Sequence, residues 1–239
     1  MCSKKVNDSG SPSVAAGASS VEGHHAALFG SQAKNHMNNA MWSAKAMRKA
    51  AQDYLFQQGD AAADLYRIRT GIVCLESVNE RGDRCITHLL GQGAVVGHEA
   101  LLQHTRGFDA RACTDAVIET VTLPPAIDPA QGAALMHWAA AAVARLLHDT
   151  ASFRVELHRA RADEKVILLL EQLRKLQAEK AEVCWLPSRY EMADILDIHH
   201  ATASRVIARL FRDGALKPTA RRDFVQVNWS RNRCLRSSY

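Results

Sequence analysis

The 239-residue sequence contains no long hydrophobic run. A helix needs about 20 predominantly apolar residues to cross a bilayer, and no segment of the chain approaches that length. The first twenty residues, MCSKKVNDSGSPSVAAGASS, contain two lysines but no continuous apolar stretch after them, unlike a secretion signal. These absences predict a soluble cytoplasmic protein without a membrane partner.

Cysteine motifs are also missing. No two of the six cysteines form a C-x-x-C pair, so the spacing shows no zinc-ribbon, iron–sulfur or dithiol redox signature, and no bound metal is predicted. A phosphate-binding glycine loop is absent as well. The pairs His98–Glu99 and Cys113–Asp115 could be imagined as catalytic, but neither has a third orienting group at a recognisable spacing. An enzyme is therefore not expected.

Positive charge is concentrated in one half of the chain. Residues 159–239 carry 16 Lys+Arg against 10 Asp+Glu, whereas residues 1–158 carry 14 against 15. The whole net charge of +5 therefore comes from the C-terminal part. A basic excess confined to one region is what binding to a polyanion such as DNA requires.

The first half of the sequence indicates a tail followed by β-structure. Residues 1–38 are rich in Ser, Gly, Ala and Asn without periodicity, which predicts a disordered tail. A weak helical pattern covers Ala40 to Ala51. We then find short β-type runs separated by turn residues, at Tyr54–Phe56, Leu65–Ile68, Ile72–Leu75, Arg84–Leu89, Ala94–Val96 and Ala116–Val121. Residues 39–127 are therefore predicted to form a compact antiparallel barrel or roll.

Residues 128–160 have the periodicity of one long helix. Apolar residues recur every three or four positions and form a near-heptad seam of Leu135, Ala139, Ala142, Leu146, Phe153 and Leu157. The seam could pack on the roll. Its length, between an all-β region and a basic helical region, favours a dimerisation helix.

Residues 187–212 predict a helix-turn-helix. Ser188 and Glu191 form a capping box at the start of the first helix, and Asp197 occupies the turn. The second helix should turn Val206, Ile207 and Leu210 inward. The outer face and the first helix start then offer candidate DNA contacts at Ser188, Arg189, His199, His200, Ala201, Thr202, Ser204, Arg205 and Arg209. A hairpin over residues 215–227 would form a wing, so residues 161–239 are predicted to be a winged helix-turn-helix and the whole chain an α+β protein.

The order of these parts resembles the cyclic-AMP receptor protein and fumarate–nitrate regulator (Crp/Fnr) superfamily of bacterial transcription regulators. The resemblance covers about residues 52–230 and includes the run Leu55 to Asp60, the glycines Gly71, Gly91, Gly93 and Gly97, the long helix and the wing. It implies a β-roll sensor, a homodimer on palindromic double-stranded DNA, and RNA polymerase as a further partner.

In the recognition helix, Ser204 and Arg205 fall on base-reading positions of the family and resemble its fumarate–nitrate subgroup. Arg205 is expected to donate a bidentate pair to guanine. Ala201 stands where the family has a Glu, and it cannot accept a hydrogen bond from cytosine. A thymine methyl against Ala201 or a contact from His200 is expected there instead.

The sequence leaves the effector open. Gly97, His98, Glu99 and Arg106 resemble the family's cyclic-nucleotide pocket, although His98 stands where the ribose-binding Glu belongs. Haem is a second possibility, with His88, His98, His104 or Cys113 as axial ligands. A thiol pair is a third, because Cys74 and Cys85 lie on consecutive predicted strands. An iron–sulfur cluster is disfavoured, and a roll that binds nothing small also remains possible. The alternative function is a nucleotide or haem sensor module that acts through protein partners.

Overall fold

The computed structural model describes residues 44–82, 84–102, 104–122, 129–177 and 183–228, all within one unit that spans Trp42–Tyr239. The predicted tail, residues 1–38, lies outside the described residues. The architecture is α+β, as predicted, with antiparallel sheets first and helices after them.

Among the residues that the structure describes, the roll consists of eight strands and one short 3₁₀ turn, His98–Leu102. The strands are β1 (Ala44–Lys49), β2 (Tyr54–Phe56), β3 (Asp64–Thr70), β4 (Val73–Val78), β5 (Arg84–Leu90), β6 (Val95–Val96), β7 (Asp109–Ala112) and β8 (Ala116–Thr122). They form two four-stranded antiparallel sheets with the orders β1-β8-β3-β6 and β2-β7-β4-β5. Between the sheets lies an apolar core that includes Ile68, Val73 and Ile118.

Two strands differ from the sequence prediction. β1 covers half of the segment predicted as weakly helical, so that prediction was wrong there. The full length of β1 pairs with β8, from Ala44 opposite Val121 to Lys49 opposite Ala116. A complete ladder outweighs a weak local preference for helix. β7 was missed because its sequence, DARA, offers only two alanines as apolar signal and contains a buried arginine.

The helical region follows the predicted order. It consists of α1 (Pro129–Arg159), α2 (Ala162–Gln177), β9 (Val183–Trp185), α3 (Arg189–Leu196), α4 (His200–Arg212), β10 (Leu216–Pro218) and β11 (Phe224–Val227). The last three strands form an antiparallel sheet of order β10-β11-β9. β10 and β11 are the predicted wing.

The seam that was predicted for dimerisation faces its own chain. Leu135 and Ala139 are buried, Leu135 in a cluster with Leu65, Val95 and Val121 of the roll. Ala142 packs on the same cluster, Leu146 on the roll core, and Phe153 and Leu157 on the core of the helical region. Periodicity reports that a helix has an apolar face; it does not report which surface covers that face.

The roll and the helical region share one apolar cluster. Ile72, Cys74, Ile86 and Cys113 of the roll belong to the same set of buried residues as Leu169, Met192 and Ile207 of the helices. At Gly91, an added Cβ would overlap the backbone of Leu176, so α2 approaches the roll as closely as glycine allows. The helix-turn-helix therefore packs against the roll.

Candidate nucleic-acid interface

The first helix of the helix-turn-helix begins with the predicted capping box. The Ser188 hydroxyl accepts from the Glu191 backbone N–H at 3.2 Å, and Glu191 Oε2 accepts from the Ser188 N–H at 3.0 Å. The box satisfies two N–H groups that no helical carbonyl can reach. Arg189, a predicted DNA contact, is half-buried beside it, and burial lowers the pKa of its guanidinium from the ordinary value.

The turn between α3 and α4 uses Asp197 in the left-handed conformation, with φ 50° and ψ 59°. Its N–H donates to the Ala193 carbonyl and ends α3. Asp tolerates this backbone better than most residues, so the expected turn position is confirmed. His199 then caps α4, because its Nδ1 accepts from the Ala201 N–H at 3.3 Å. Histidine is not among the common capping residues, and the sequence analysis missed this role.

Helix α4 is strongly two-sided. Ala203, Val206, Ile207 and Leu210 are buried against the rest of the helical region, as predicted for the last three. The outer face has His200, Ala201, Ser204 and Arg205 exposed, with Thr202 half-buried. Arg205 Nη2 donates to Thr202 Oγ1 at 3.2 Å across one turn of the helix. This face is not covered by the roll.

Arg209 does not belong to that face. It is half-buried, and its Nη2 lies 3.3 Å from Asp163 Oδ2 on α2. This ion pair ties α4 to α2 and engages the guanidinium, so the DNA contact of Arg209 stays a prediction. Sequence periodicity alone placed the residue near the edge of the outer face, and the partner 46 positions away was not visible.

Tyr190 was not among the residues predicted from the sequence. Its side chain is 67% exposed at the start of α3, and its ring stacks on the His200 imidazole with centroids 5.0 Å apart. A large aromatic residue between the half-buried Arg189 and the buried Glu191 could have been noticed, because the capping box fixes which residues of the first turn face inward.

Basic residues lie in and next to the strands of the wing. Lys217, Arg221 and Arg222 are exposed. The Arg221 guanidinium lies over the Phe224 ring at 4.4 Å, and its Nη2 is 3.5 Å from Asp115 of the roll. Both members of that ion pair are largely exposed, so it contributes little stability and leaves Arg221 available to other anions.

A buried ionic network connects the roll to α3. Arg111 on β7 donates from Nε to Glu76 Oε1 and from Nη2 to Glu76 Oε2, both at 2.9 Å, and its Nη2 also reaches Glu191 Oε1 at 3.2 Å. Burial by itself would raise the pKa of Glu76, but the hydrogen bonds and charge of Arg111 outweigh it and the pKa lies below its ordinary value. The same bonds to Glu76 raise the pKa of Arg111. The Glu76 carboxylate and the Arg111 guanidinium are therefore both ionised at neutral pH.

A second ion pair lies beside this network. Arg84 on β5 donates from Nε at 3.0 Å and from Nη2 at 2.8 Å to Asp194 Oδ2 on α3. In addition, Lys165 of α2 donates to the carbonyl of Leu196, the last residue of α3. Helix α3 is thus held from the roll and from α2 at once. No sequence motif predicts these pairs, because Arg111 and Glu191 are 80 residues apart and Arg84 and Asp194 are 110 residues apart.

The predicted effector residues Gly97, Glu99 and Arg106 come together in the roll. Arg106 is only 3% exposed; it donates to Gly97 O at 2.9 Å and to Asp64 O at 2.7 Å, and it lies 3.5 Å from Glu99 Oε2. Its guanidinium covers the Phe56 ring at 4.3 Å. Gly97 has φ +85°, and a Cβ there would lie 2.6 Å from Arg106 Nη1, so this approach requires glycine. His98, next to them, is half-buried, and burial lowers the pKa of its imidazole.

Comparison with known proteins agrees with this architecture. The profile of the cyclic nucleotide-binding domain family matches residues 47–123. The transcriptional regulator SdrP of Thermus thermophilus is 28% identical over 155 residues, which are 64% of this chain and 74% of that protein. The chain is thus similar to transcription regulators of the Crp/Fnr family.

Solved structures of this family share the fold. The CRP-family regulator TTHB099, also from Thermus thermophilus, superposes with a TM-score of 0.66 at 23% identity, covering 79% of this chain and 95% of that chain. FixK2 of Bradyrhizobium japonicum has a TM-score of 0.65 at 24% identity, covering 80% and 96%. The family resemblance predicted from the sequence is thereby confirmed. The assignment of the recognition helix to the fumarate–nitrate subgroup stays a prediction.

The Crp/Fnr-type roll does not fit a cyclic phosphate as its side chains stand. Both Nη atoms of Arg106 are directed at backbone carbonyls, and the Glu99 carboxylate lies where it would repel a second anion.

The structure also bears on the hypotheses of a thiol pair and of haem. Cys74 lies opposite Leu89 and is buried, whereas Cys85 lies opposite Ser77 and is exposed, so the predicted cross-strand thiol pair was wrong. The Cys74 thiol instead donates to Glu76 Oε2 at 3.7 Å. The neighbouring Cys74 thiol together with burial raises the pKa of the Cys113 thiol. Within the described part of the chain, no group of three or more His, Cys, Asp or Glu side chains is placed to hold a metal ion. Haem iron needs only one or two axial ligands, so His88, His98, His104 and Cys113 stay predicted candidates for it. None of the helices described is both long and apolar enough to cross a membrane.

Proposed function

We propose that this protein is a sequence-specific DNA-binding transcription regulator that acts on a palindromic operator as a homodimer. The observation that supports the proposal best is the outer face of α4, where Arg205, Ser204 and His200 are exposed on a helix whose opposite face is buried. A helix of this kind fits the major groove. In this proposal residues 39–127 are the sensor roll, 128–160 the dimerisation helix and 161–239 the DNA-binding domain.

Arg205 is the proposed guanine reader. Its guanidinium is exposed and is held by Thr202 from the same helix face, so its fork of donors is partly oriented before binding. Guanine presents N7 and O6 as paired acceptors in the major groove, which matches the two nitrogens of an Arg. Ala201, one turn earlier, supports a preference for an apolar contact such as a thymine methyl.

Backbone contacts are proposed from the wing and the first helix start. Lys217, Arg221 and Arg222 supply positive charge at the wing, and Thr202 is a hydroxyl near the N-terminus of α4. The Ser188 hydroxyl is already engaged in the capping box, so Ser188 contributes by holding α3 in place. Phosphate contacts of this type orient a protein on the duplex without selecting sequence.

The second copy of the chain is proposed to dock on a different face of α1 from the one expected. Met136, Leu147 and Val155 are exposed apolar side chains on this helix, with Leu147 63% exposed. Ala140, Val143 and Ala151 continue the same stripe at spacings of three and four residues. Pairing α1 with its twofold mate would place two copies of α4 for successive major grooves, which are about 34 Å apart.

Coupling between roll and DNA is proposed to pass through Arg111 and Arg84. Both belong to the roll, and both hold acidic side chains of α3. A signal that moves β5 or β7 would shift the population between two placements of the helix-turn-helix. The family resemblance supports RNA polymerase as a further partner. The proposal contains no enzymatic step, in keeping with relatives that are transcription regulators.

An electrophoretic shift assay with the purified chain and a mixture of genomic fragments tests this proposal. We expect one set of fragments to bind at much lower protein concentration than the rest. The apparent affinity should fall steeply as salt rises, because each neutralised phosphate releases counterions. Equal binding to all fragments would reject a sequence-specific regulator. Absence of binding at low salt would reject DNA as the partner and favour a sensor that acts through proteins.

A further inference from the structure

Three rings meet where the two helices of the helix-turn-helix begin. The Tyr190 ring stacks on the His200 imidazole at 5.0 Å with an angle of 26° between the planes, and the His199 ring lies 4.3 Å from His200 at 35°. Tyr190 belongs to the first turn of α3, and His200 is the first residue of α4. The cluster therefore joins the starts of both helices through side chains.

All three side chains are exposed. An exposed cluster gains little from burial of apolar surface, so the stability of the core does not require it. Its position coincides with the N-terminal part of the recognition helix, whose first residues contact base edges in helix-turn-helix proteins. The location points to recognition of the nucleic acid.

One member of the cluster is anchored to the backbone. His199 Nδ1 accepts the Ala201 N–H and caps α4, which places the ring proton of a neutral His199 on Nε2. The His199 ring is therefore held at the helix end. His200 then lies beside an anchored imidazole and beside the ring of Tyr190, which restricts the torsions of a side chain that would otherwise move freely on the surface.

We propose that His200 reads a guanine edge and that Tyr190 is the residue that positions its imidazole. This inference rests on the proposed DNA-binding function and goes beyond it by naming a second base reader and its support. Because neighbouring rings flank His200, its nitrogens are the groups left to meet a base. An imidazole N–H can donate to guanine N7 or O6 in the major groove.

The neighbours of His200 on the outer face strengthen the assignment. Ala201 offers no hydrogen-bonding side chain, and Arg205 lies five residues further along α4, more than one turn away. His200 is thus an exposed polar group placed to reach the base pair nearest the helix start. It is expected to specify a base pair different from the one that Arg205 specifies.

Selection from a pool of duplexes with two randomised half-sites tests the inference on the full-length protein. The variants are His200→Ala, Tyr190→Ala, Tyr190→Phe as the matched control, and Arg205→Ala as a reference for a different base pair. We expect His200→Ala to reduce discrimination at one base pair of each half-site by about 5- to 10-fold. Tyr190→Ala should weaken the preference at that same pair, while Tyr190→Phe keeps the wild-type preference because it keeps the ring.

The outcomes separate the two levels of the argument. If the wild type selects a site and Tyr190→Ala selects it with unchanged preference at every position, Tyr190 does not position His200 and the inference is overturned. An equal loss of affinity for all sequences would identify a phosphate contact and would also overturn it. If the wild type selects no site at all, the proposed function itself fails. Unchanged thermal midpoints of the Tyr190 variants, expected for an exposed residue, show that the chain remains folded.

Discussion

Arg111 of the roll and Glu191 of α3 form a buried ion pair, with Nη2 of the arginine 3.2 Å from Oε1 of the glutamate. Glu191 uses its other carboxylate oxygen to complete the capping box with Ser188. A displacement of β7 would therefore act on the first turn of α3, which supports the recognition helix. The contact provides a physical link between the part of the chain proposed to sense a signal and the part proposed to read DNA.

Replacing Arg111 should destabilise the protein strongly. Arg111→Met leaves the Glu76 and Glu191 carboxylates without their shared cation in a buried site, and removal of one partner from such a network costs about 3–5 kcal/mol. Urea unfolding followed by circular dichroism measures this loss. Arg84→Met is the matched control, because its pair with Asp194 is about one-third exposed and should cost roughly 0–1 kcal/mol. Equal losses in the two variants would contradict the assigned role of Arg111.

The same network predicts a dependence of stability on acid. The folded-state pKa of Glu76 is below its ordinary value of 4.5, so the ionised carboxylate stabilises the fold at neutral pH. This contribution is complete above about pH 4.5 and is lost as the pH falls through the lowered folded-state pKa. Urea midpoints should therefore decline on acidification below that value. In Glu76→Gln the decline should be shallower; an identical pH profile would show that Glu76 does not carry the effect.

Arg205 and Arg209 should behave differently although they are four residues apart on one helix. Arg205→Ala should cost about 1–3 kcal/mol at the preferred operator and much less on random DNA, because the exposed guanidinium is free to reach a base. Arg209→Ala should leave the specificity ratio unchanged and lower the thermal midpoint slightly, since it removes the pair with Asp163. Titration of each variant with operator and random duplexes measures both affinities, and a thermal melt gives the midpoint. A loss of specificity in Arg209→Ala would show that Arg209 contacts bases as well.

Substitutions on the two faces of α1 should have different effects on dimerisation and on stability. Leu147→Glu places a charge in the exposed stripe and should convert the proposed dimer to monomers with little change in monomer stability. Leu135→Ala opens a cavity against the roll and should cost about 2–5 kcal/mol while the protein remains a dimer. Sedimentation velocity combined with urea unfolding distinguishes these results. Dissociation caused by Leu135→Ala but not by Leu147→Glu would show that the seam containing Leu135 forms the dimer contact.

Local chemistry made much of the architecture predictable. The capping box of Ser188 and Glu191, the left-handed Asp197 and the inward face of α4 each depend on residues within one or two helical turns, so their patterns appear directly in the sequence. The long helix, the wing strands and most strands of the roll were found for the same reason. The ordered set of these parts was enough to indicate the family.

Partners far apart in the chain were decided by the tertiary structure alone. Pairing with β8 made a strand of the segment predicted as helix, and the register of β4 and β5 separated Cys74 from Cys85. Packing on the roll buries Leu135, and an ion pair with Asp163 engages Arg209. A sequence pattern records the polarity and spacing of side chains, but the group that satisfies a buried charge or an apolar face is chosen by which surfaces the complete chain brings into contact.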